Sequence, residues 1–217
     1  MPDLSALAPN RLFDLDAFAH RALFDGATYA WEALPRLAEH LERLLDGATL
    51  ARPGDFPGAH LEGKVLVGAG TTIEPGAFVR GPAVIGEGCE IRAHAYLRGK
   101  VLVGDRCVIG SSELKGTILM NDAHAAHFNY CGDAILGHRT NLGAGTKLAN
   151  LRFDGRPVRV AFDGERIDTG LRKLSSVLGD DAQTGCNSVL NPGTVLARGA
   201  VVAPTANVGG FVPARGG

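Results

Sequence analysis

The chain has 217 residues, 45% of them hydrophobic, and its 22 basic and 23 acidic side chains leave a formal net charge of −1. That length suffices for one globular domain plus a small additional element. A charge near zero excludes the basic excess by which nucleic-acid and membrane-surface binders are known. No apolar run approaches the roughly 20 residues that cross a bilayer, and no basic-then-apolar leader opens the chain, so a cytoplasmic location is expected.

In chain order, residues 1–50 read as a helical segment. A short piece runs from about Leu15 to Phe24, and a second helix begins near Trp31 with Pro35 in its first turn. Leu34, Leu37, Leu41, Leu44 and Leu45 fall on one face of that helix, and Asp46-Gly47 ends it. The apolar stripe is expected to pack on the first coil of the domain that follows and cap its open end. Residues 51–60, with Pro53, Gly54 and Pro57, read as a linker.

From residue 61 onward a different period takes over. Val67, Ile73, Val79, Ile85, Ile91, Leu97, Val103 and Ile109 recur every sixth residue, and most follow a small or β-branched residue two places earlier. The period returns three residues out of phase at Leu136, Leu142 and Leu148, then again at Leu178, Leu190, Leu196, Val202 and Val208. Six fits neither the 3.6 of a helix nor the 2 of an ordinary strand. It is the period of a hexapeptide parallel β-helix over residues 61–217, in which three hexapeptides make one triangular coil and stacked coils bury a continuous core. Glycine often follows the inward residue, as at Gly68, Gly86, Gly104 and Gly110, where a bend with unusual dihedrals is expected; this accounts for the 30 glycines. Cys89, Cys107, Cys131 and Cys186 show no close pair, and the first two sit at small-residue positions of the repeat, so reduced core thiols are expected.

A strict repeat builds a scaffold, so its interruptions are where function is sought. The first, Ser111–Asn129, contains Glu113, Lys115, His124 and His127. The second spans about residues 150–176. There Val158–Phe162 and Glu165–Asp168 flank Asp163-Gly164, which predicts a β-hairpin standing off the solenoid.

The segment His127-Phe-Asn-Tyr130-Cys-Gly-Asp133-Ala-Ile-Leu-Gly137, followed by Asn141-Leu-Gly-Ala-Gly-Thr146 and Asn150, resembles the acetyltransferase half of N-acetylglucosamine-1-phosphate uridyltransferase/glucosamine-1-phosphate acetyltransferase. Asn150–Asp154, the hairpin and Thr169-Gly-Leu-Arg-Lys173 are similar to archaeal-type sugar-1-phosphate nucleotidylyltransferases with the same C-terminal half. The nucleotidyltransferase domain has no counterpart here: the helical segment stands in its place, and uridylyl transfer is not expected. The resemblance implies a left-handed β-helix, a homotrimer with active sites between prisms, and acetyl transfer from acetyl-CoA to the amine of an amino-sugar 1-phosphate in UDP-N-acetylglucosamine biosynthesis. It implies His127 as general base, Tyr130, Asn141 and Asn150 as sugar and acetyl contacts, and Arg98 and Lys115 as the phosphate pair. It also implies Lys173, Cys186 and Ala203 as acetyl-CoA contacts, with Cys186 replacing a family serine.

Several of these assignments make chemical sense unaided. Direct attack on a thioester needs a base for the ammonium proton and cations for the phosphate. Arg98 follows the inward Leu97 and so points out of the coil, while Lys115 stands where the next inward residue would fall. Plainer readings coexist with them. His127 can be a solvated loop histidine, Arg98 and Lys115 surface charges, Asn141 and Asn150 turn residues or stacked amides, and Glu113 either an orienting partner of His127 or a solvated carboxylate. His94, His124, His127 and His138 lack familiar ligand spacing, so no metal is expected, although zinc enzymes use related scaffolds. The alternatives to amino-sugar phosphate acetylation are an acyltransferase acting on a nucleotide-linked amino sugar, and a non-catalytic binding or assembly protein.

Overall fold

The computed structural model describes residues 3–214. From His60 to Val212 the chain winds as a parallel β-helix. One face is an 8-stranded parallel sheet with a strand from every coil, Val65–Val67 first and Phe211–Val212 last. Val65 pairs with Ala83 and Ala83 with Val101, a step of three hexapeptides per coil, as the period predicts. The other two faces are linked into a 13-stranded sheet because Val108–Lys115 and His124–Gly132 run through the corner between them as single strands. The first interruption is therefore not a loop.

The phase shift has a direct structural cause. The inward residues after Ile109 are Leu114, Leu119, Ala125, Cys131 and Leu136, all fully buried, so three steps are five residues long instead of six. Lys115 accordingly does not occupy an inward site. It follows inward Leu114 just as Arg98 follows Leu97, and Leu97 pairs with Leu114 across neighbouring coils.

The glycines after the inward residues serve close approach and not unusual dihedrals. A Cβ on Gly86 would lie 2.6 Å from the carbonyl carbon of Gly104, and one on Gly110 would collide with the Ala126 carbonyl oxygen. Positive φ falls two residues later in the turning corners, though not after Gly110, where the strand runs on. In those corners Arg106 (55°), Asp122 (61°), Arg139 (56°) and Asp181 (62°) adopt it as readily as Gly88. Cys89, Cys107 and Cys131 are buried free thiols. Burial pushes the Cys131 thiol up to about 12, and Cys89 and Cys107 donate to the Gly104 and Met120 carbonyls.

The N-terminal segment lies along the side of the prism and not over its open end. It consists of short 3-10 turns, including Leu15–Ala17 and Arg21–Phe24, a single α-helical turn at Pro9–Leu12, and the helix Ala33–Leu45. Leu37 and Leu41 of the helix, with Trp31 and Phe24, share a second core with Val84, Leu102, Ile118, Ile135, Val177 and Val195, the outward residues of the 8-stranded face. The backbone N–H of Asp14 donates to Asp180 at 2.7 Å, and Asn121 Nδ2 donates to the Ala17 carbonyl at 2.9 Å, pinning the segment to one corner. Within it, His40 Nε2 lies 3.2 Å from His20 Nδ1. Burial, with the neighbouring His40, lowers His20 to about 4.

The hairpin forms as predicted, with Arg159–Phe162 antiparallel to Glu165–Asp168. Asp163 (φ 47°) and Gly164 (φ 80°) make its turn. It does not stand off the solenoid. Val158 and Val160 are fully buried in the second core, and Phe162 meets Phe211 edge-on, so the hairpin continues the cover over the 8-stranded face.

Candidate active site

One face of the prism carries the file His60, Phe78, Tyr96, Glu113, Tyr130, Lys147 on its outer side, with Val79, Leu97, Leu114, Cys131 and Leu148 stacked inward behind it. His127 stands at one edge of this face, and Arg98, Lys115, Asp133 and Asn150 at the other.

His127 owes its position to a bulge. His127 pairs with Ser111 but Tyr130 pairs with Glu113, so the strand His124–Gly132 carries one residue more than its neighbour. The surplus is taken up at Phe128, which has φ 53° and is 70% exposed. Buried Asn129 secures the bulge from within. Its Oδ1 accepts from the His127 backbone N–H (3.2 Å) and from Ser112 Oγ (3.3 Å), and its Nδ2 donates to the Gly143 carbonyl at 2.8 Å. Lys147 secures it from outside, donating to the Phe128 and Gly145 carbonyls at 2.8 and 2.9 Å. The His127 ring is exposed and forms no hydrogen bond or ion pair among the described residues. Glu113 does not orient it, because that carboxylate is paired with Arg98.

At the opposite edge the polar groups converge. Lys115 Nζ donates to both Asp133 oxygens (2.9 and 3.2 Å), and Asn150 Nδ2 donates to Asp133 Oδ2 at 2.6 Å. The Asn150 amide is thus spent on a carboxylate and not on a stacked ladder. A Cβ on Gly132 would fall 2.6 Å from Tyr130 Oη and 2.7 Å from Asn150 Nδ2, so the phenol and the amide meet over a residue with no side chain. Burial, then the carboxylates of Glu113 and Asp133, raises the Tyr130 phenol, which keeps its proton as a donor. Hydrogen bonding to Glu113 raises Arg98, which stays a cation.

The remaining predicted residues divide between two corners. Cys186 lies two coils beyond His127 along the same corner, and Ala203 one coil further, as shown by the bonds Gly145 N to His127 O, Asn187 N to Ala144 O and Thr205 N to Cys186 O. At about 4.8 Å per coil this puts them roughly 10 and 14 Å from His127. Lys173 is not in that file: it lines a cleft with Lys115 and Asp133 at the far edge. Asn141 pairs with His124 and Gln183 on the adjoining face, around the corner from Tyr130. Within the chain, then, the structure gathers Arg98, Lys115, Tyr130 and Asn150, borders them with His127, and leaves Asn141 and Lys173 outside that face. Sequence reading missed Asp133, Asn129 and Lys147 as members. Asp133 and Asn129 lay inside the quoted motif, whereas nothing in the spacing marked Lys147 as a support of the bulge. Among the described residues no group of three or more His, Cys, Asp or Glu side chains is arranged to hold a metal ion, and no helix is long and apolar enough to cross a membrane.

A hexapeptide-repeat β-helix with one polar face between a bulged histidine and a lysine–carboxylate–amide cluster is the class that the fold and site define. Residues 79–209 match the family described as the GMPPB C-terminal domain, and the chain belongs to that family. It is similar to a bifunctional sugar-1-phosphate nucleotidylyltransferase/acetyltransferase of Sulfurisphaera tokodaii, at 40% identity over 46% of this chain and 25% of the relative. It also resembles the bifunctional protein GlmU of Methanocaldococcus jannaschii, at 41% over 38% of this chain and 20% of the relative, and that of Methanococcus vannielii, at 38% over 42% and 22%. The chain thus aligns with about a quarter or less of the length of these relatives.

Proposed function

We propose that the protein is an acetyltransferase that moves an acetyl group from acetyl-CoA to the amine of an amino-sugar 1-phosphate, glucosamine 1-phosphate being the first candidate. His127 takes a proton from the substrate ammonium. The freed amine attacks the thioester carbonyl, the tetrahedral intermediate collapses to the amide, and CoA leaves as the thiolate that is then protonated. No acyl-enzyme is formed. Arg98 and Lys115 hold the phosphate, and Tyr130 and Asn150 hold the sugar and acetyl group, with Asn141 as a further contact. Cys186 and Ala203 run along the arm of acetyl-CoA, whereas Lys173, in the cleft beside Lys115, is outside that file and is left to another phosphate. The chain acts as a homotrimer, in which the His127 edge of one prism faces a neighbour.

The observation that carries this reading is the division of labour across one face. From His127 to Gly132, with the bulged residue discounted, lie four extended positions, roughly 13 Å. Side chains reaching in from both edges leave room for one sugar ring between imidazole and ammonium. The names of the relatives support the same chemistry. The test is thiol release from acetyl-CoA with glucosamine 1-phosphate, galactosamine 1-phosphate or no acceptor. Acceptor-dependent release is expected, falling by about 100-fold or more in His127→Ala, with oligomeric state unchanged. A folded oligomer that releases thiol with neither sugar overturns the sugar-phosphate reading and leaves a nucleotide-linked amino sugar as acceptor, or a binding or assembly role.

A further inference from the structure

A cleft of about 250 Å3 separates the helix Ala33–Leu45 from the corner that carries Lys115. Pro35 and Ala38 of the helix wall one side, and Lys100, Lys115, Lys173 and Asp133 line the other. The helix lies outside residues 79–209, so this wall is added to the matched solenoid by the N-terminal segment. The charges do not balance. Asp133 is taken up by Lys115, whereas Lys100 and Lys173 are exposed and form no ion pair among the described residues. Cations gathered around one carboxylate repel one another unless an anion joins them. Lys100 is held at the corner with φ 53°, and the backbone N–H of Thr117 bonds to its carbonyl.

The cleft also has a place in the order of the site. Passing from His127 across Tyr130 to Arg98 and Lys115, a ligand meets a base, a ring contact and a first pair of cations; continuing over the corner it enters the cleft. A monophosphate bound at Arg98 and Lys115 leaves Lys100 and Lys173 unused. We propose that this cleft takes a second phosphoryl group, so that the acceptor is a nucleoside diphosphate-linked amino sugar whose distal phosphate sits between Lys100 and Lys173. This inference rests on the acceptor orientation of the proposed function and extends it to a substrate class. Acetyl-CoA also carries a diphosphate, and the experiment separates the two sources.

The full chain is titrated calorimetrically with inorganic pyrophosphate, orthophosphate and CoA, as wild type, Lys100→Gln and Lys173→Gln. Pyrophosphate is expected to bind at least tenfold more tightly than orthophosphate, and each substitution to weaken it about tenfold, while CoA affinity is unaffected by Lys100→Gln. In transfer assays UDP-glucosamine is expected to exceed glucosamine 1-phosphate in kcat/KM, with Lys100→Gln lowering the former about tenfold and sparing the latter. Equal binding of pyrophosphate and orthophosphate, equal losses for both acceptors, or weakening of CoA in place of pyrophosphate overturns the proposal. Lysine-dependent pyrophosphate binding without transfer to any amino sugar overturns instead the acetyl-transfer reading.

Discussion

At the scale of single residues, the site depends as much on a missing side chain as on those present. Gly132 lets Tyr130 Oη and Asn150 Nδ2 close over its backbone. Both groups are the ends of side chains, so a methyl there displaces them without breaking the coil. Gly132→Ala is expected to lower acetyl transfer by ten- to a hundredfold while shifting the thermal midpoint by only a few degrees, as read by a turnover assay beside a melting curve. A large loss of stability with normal turnover would show that the phenol and amide are not needed where they stand. The motif from His127 to Asn150 was legible because it lies within one stretch of chain. The Arg98–Glu113 and Lys115–Asp133 pairings were not, because each joins residues on different coils that only the stacking register brings together.

At the scale of elements, the His127 bulge is the feature most open to test. It needs an acceptor for the His127 N–H and a donor for the Gly143 carbonyl, and Asn129 supplies both. Asn129→Asp keeps the acceptor but sets a carboxylate oxygen against that carbonyl, at a buried position where an unmatched polar group costs about 1–3 kcal/mol. A fall in kcat of at least tenfold with KM for the acceptor within about threefold is expected. A change confined to KM would place the bulge in binding and not in positioning of the base. The N-terminal segment offers a second test, through pH. Burial holds His20 near 4 in the folded chain against 6.5 for a free imidazole. Between those values the unfolded chain binds more protons, so the stability present above about pH 6.5 is lost as pH falls towards 4. The loss is on the order of 2 kcal/mol once solvent screening is allowed for. Denaturant unfolding at pH 7.5 and 5 should show it, and His20→Gln should flatten the difference. An equal loss in both proteins would trace the pH dependence to other groups.

At the scale of the whole molecule, the exposed large apolar side chains among the described residues are Phe128, Leu151 and Phe153; the first two adjoin site residues in the chain, and Phe153 lines a surface pocket with Leu151. Phe128 adjoins His127, and Leu151 adjoins Asn150. Apolar surface gathered around a polar site suits contact with another copy of the chain. The expected assembly is a trimer, and sedimentation should give three times the chain mass. Leu151→Ser combined with Phe153→Ser should shift the equilibrium towards monomer, and turnover should fall with trimer content. A monomer that retains full turnover would refute a site shared between prisms.

The six-residue period alone determined the solenoid, because nearly every inward position must be apolar for the stack to bury a continuous core. The Asp-Gly turn likewise announced its hairpin, since both central residues need positive φ. Which face the helix and the hairpin would cover was decided only in three dimensions. Their apolar stripes match any apolar surface, and the one left open was the outward side of the 8-stranded sheet, with Val84, Leu102 and Ile118. The phase shift was visible in the sequence, yet its meaning, three five-residue steps of which the first carries Lys115 outward beside Arg98, emerged from the pairing of Leu97 with Leu114. Local repetition specifies a coil; where charges from successive coils meet is set by the register between them.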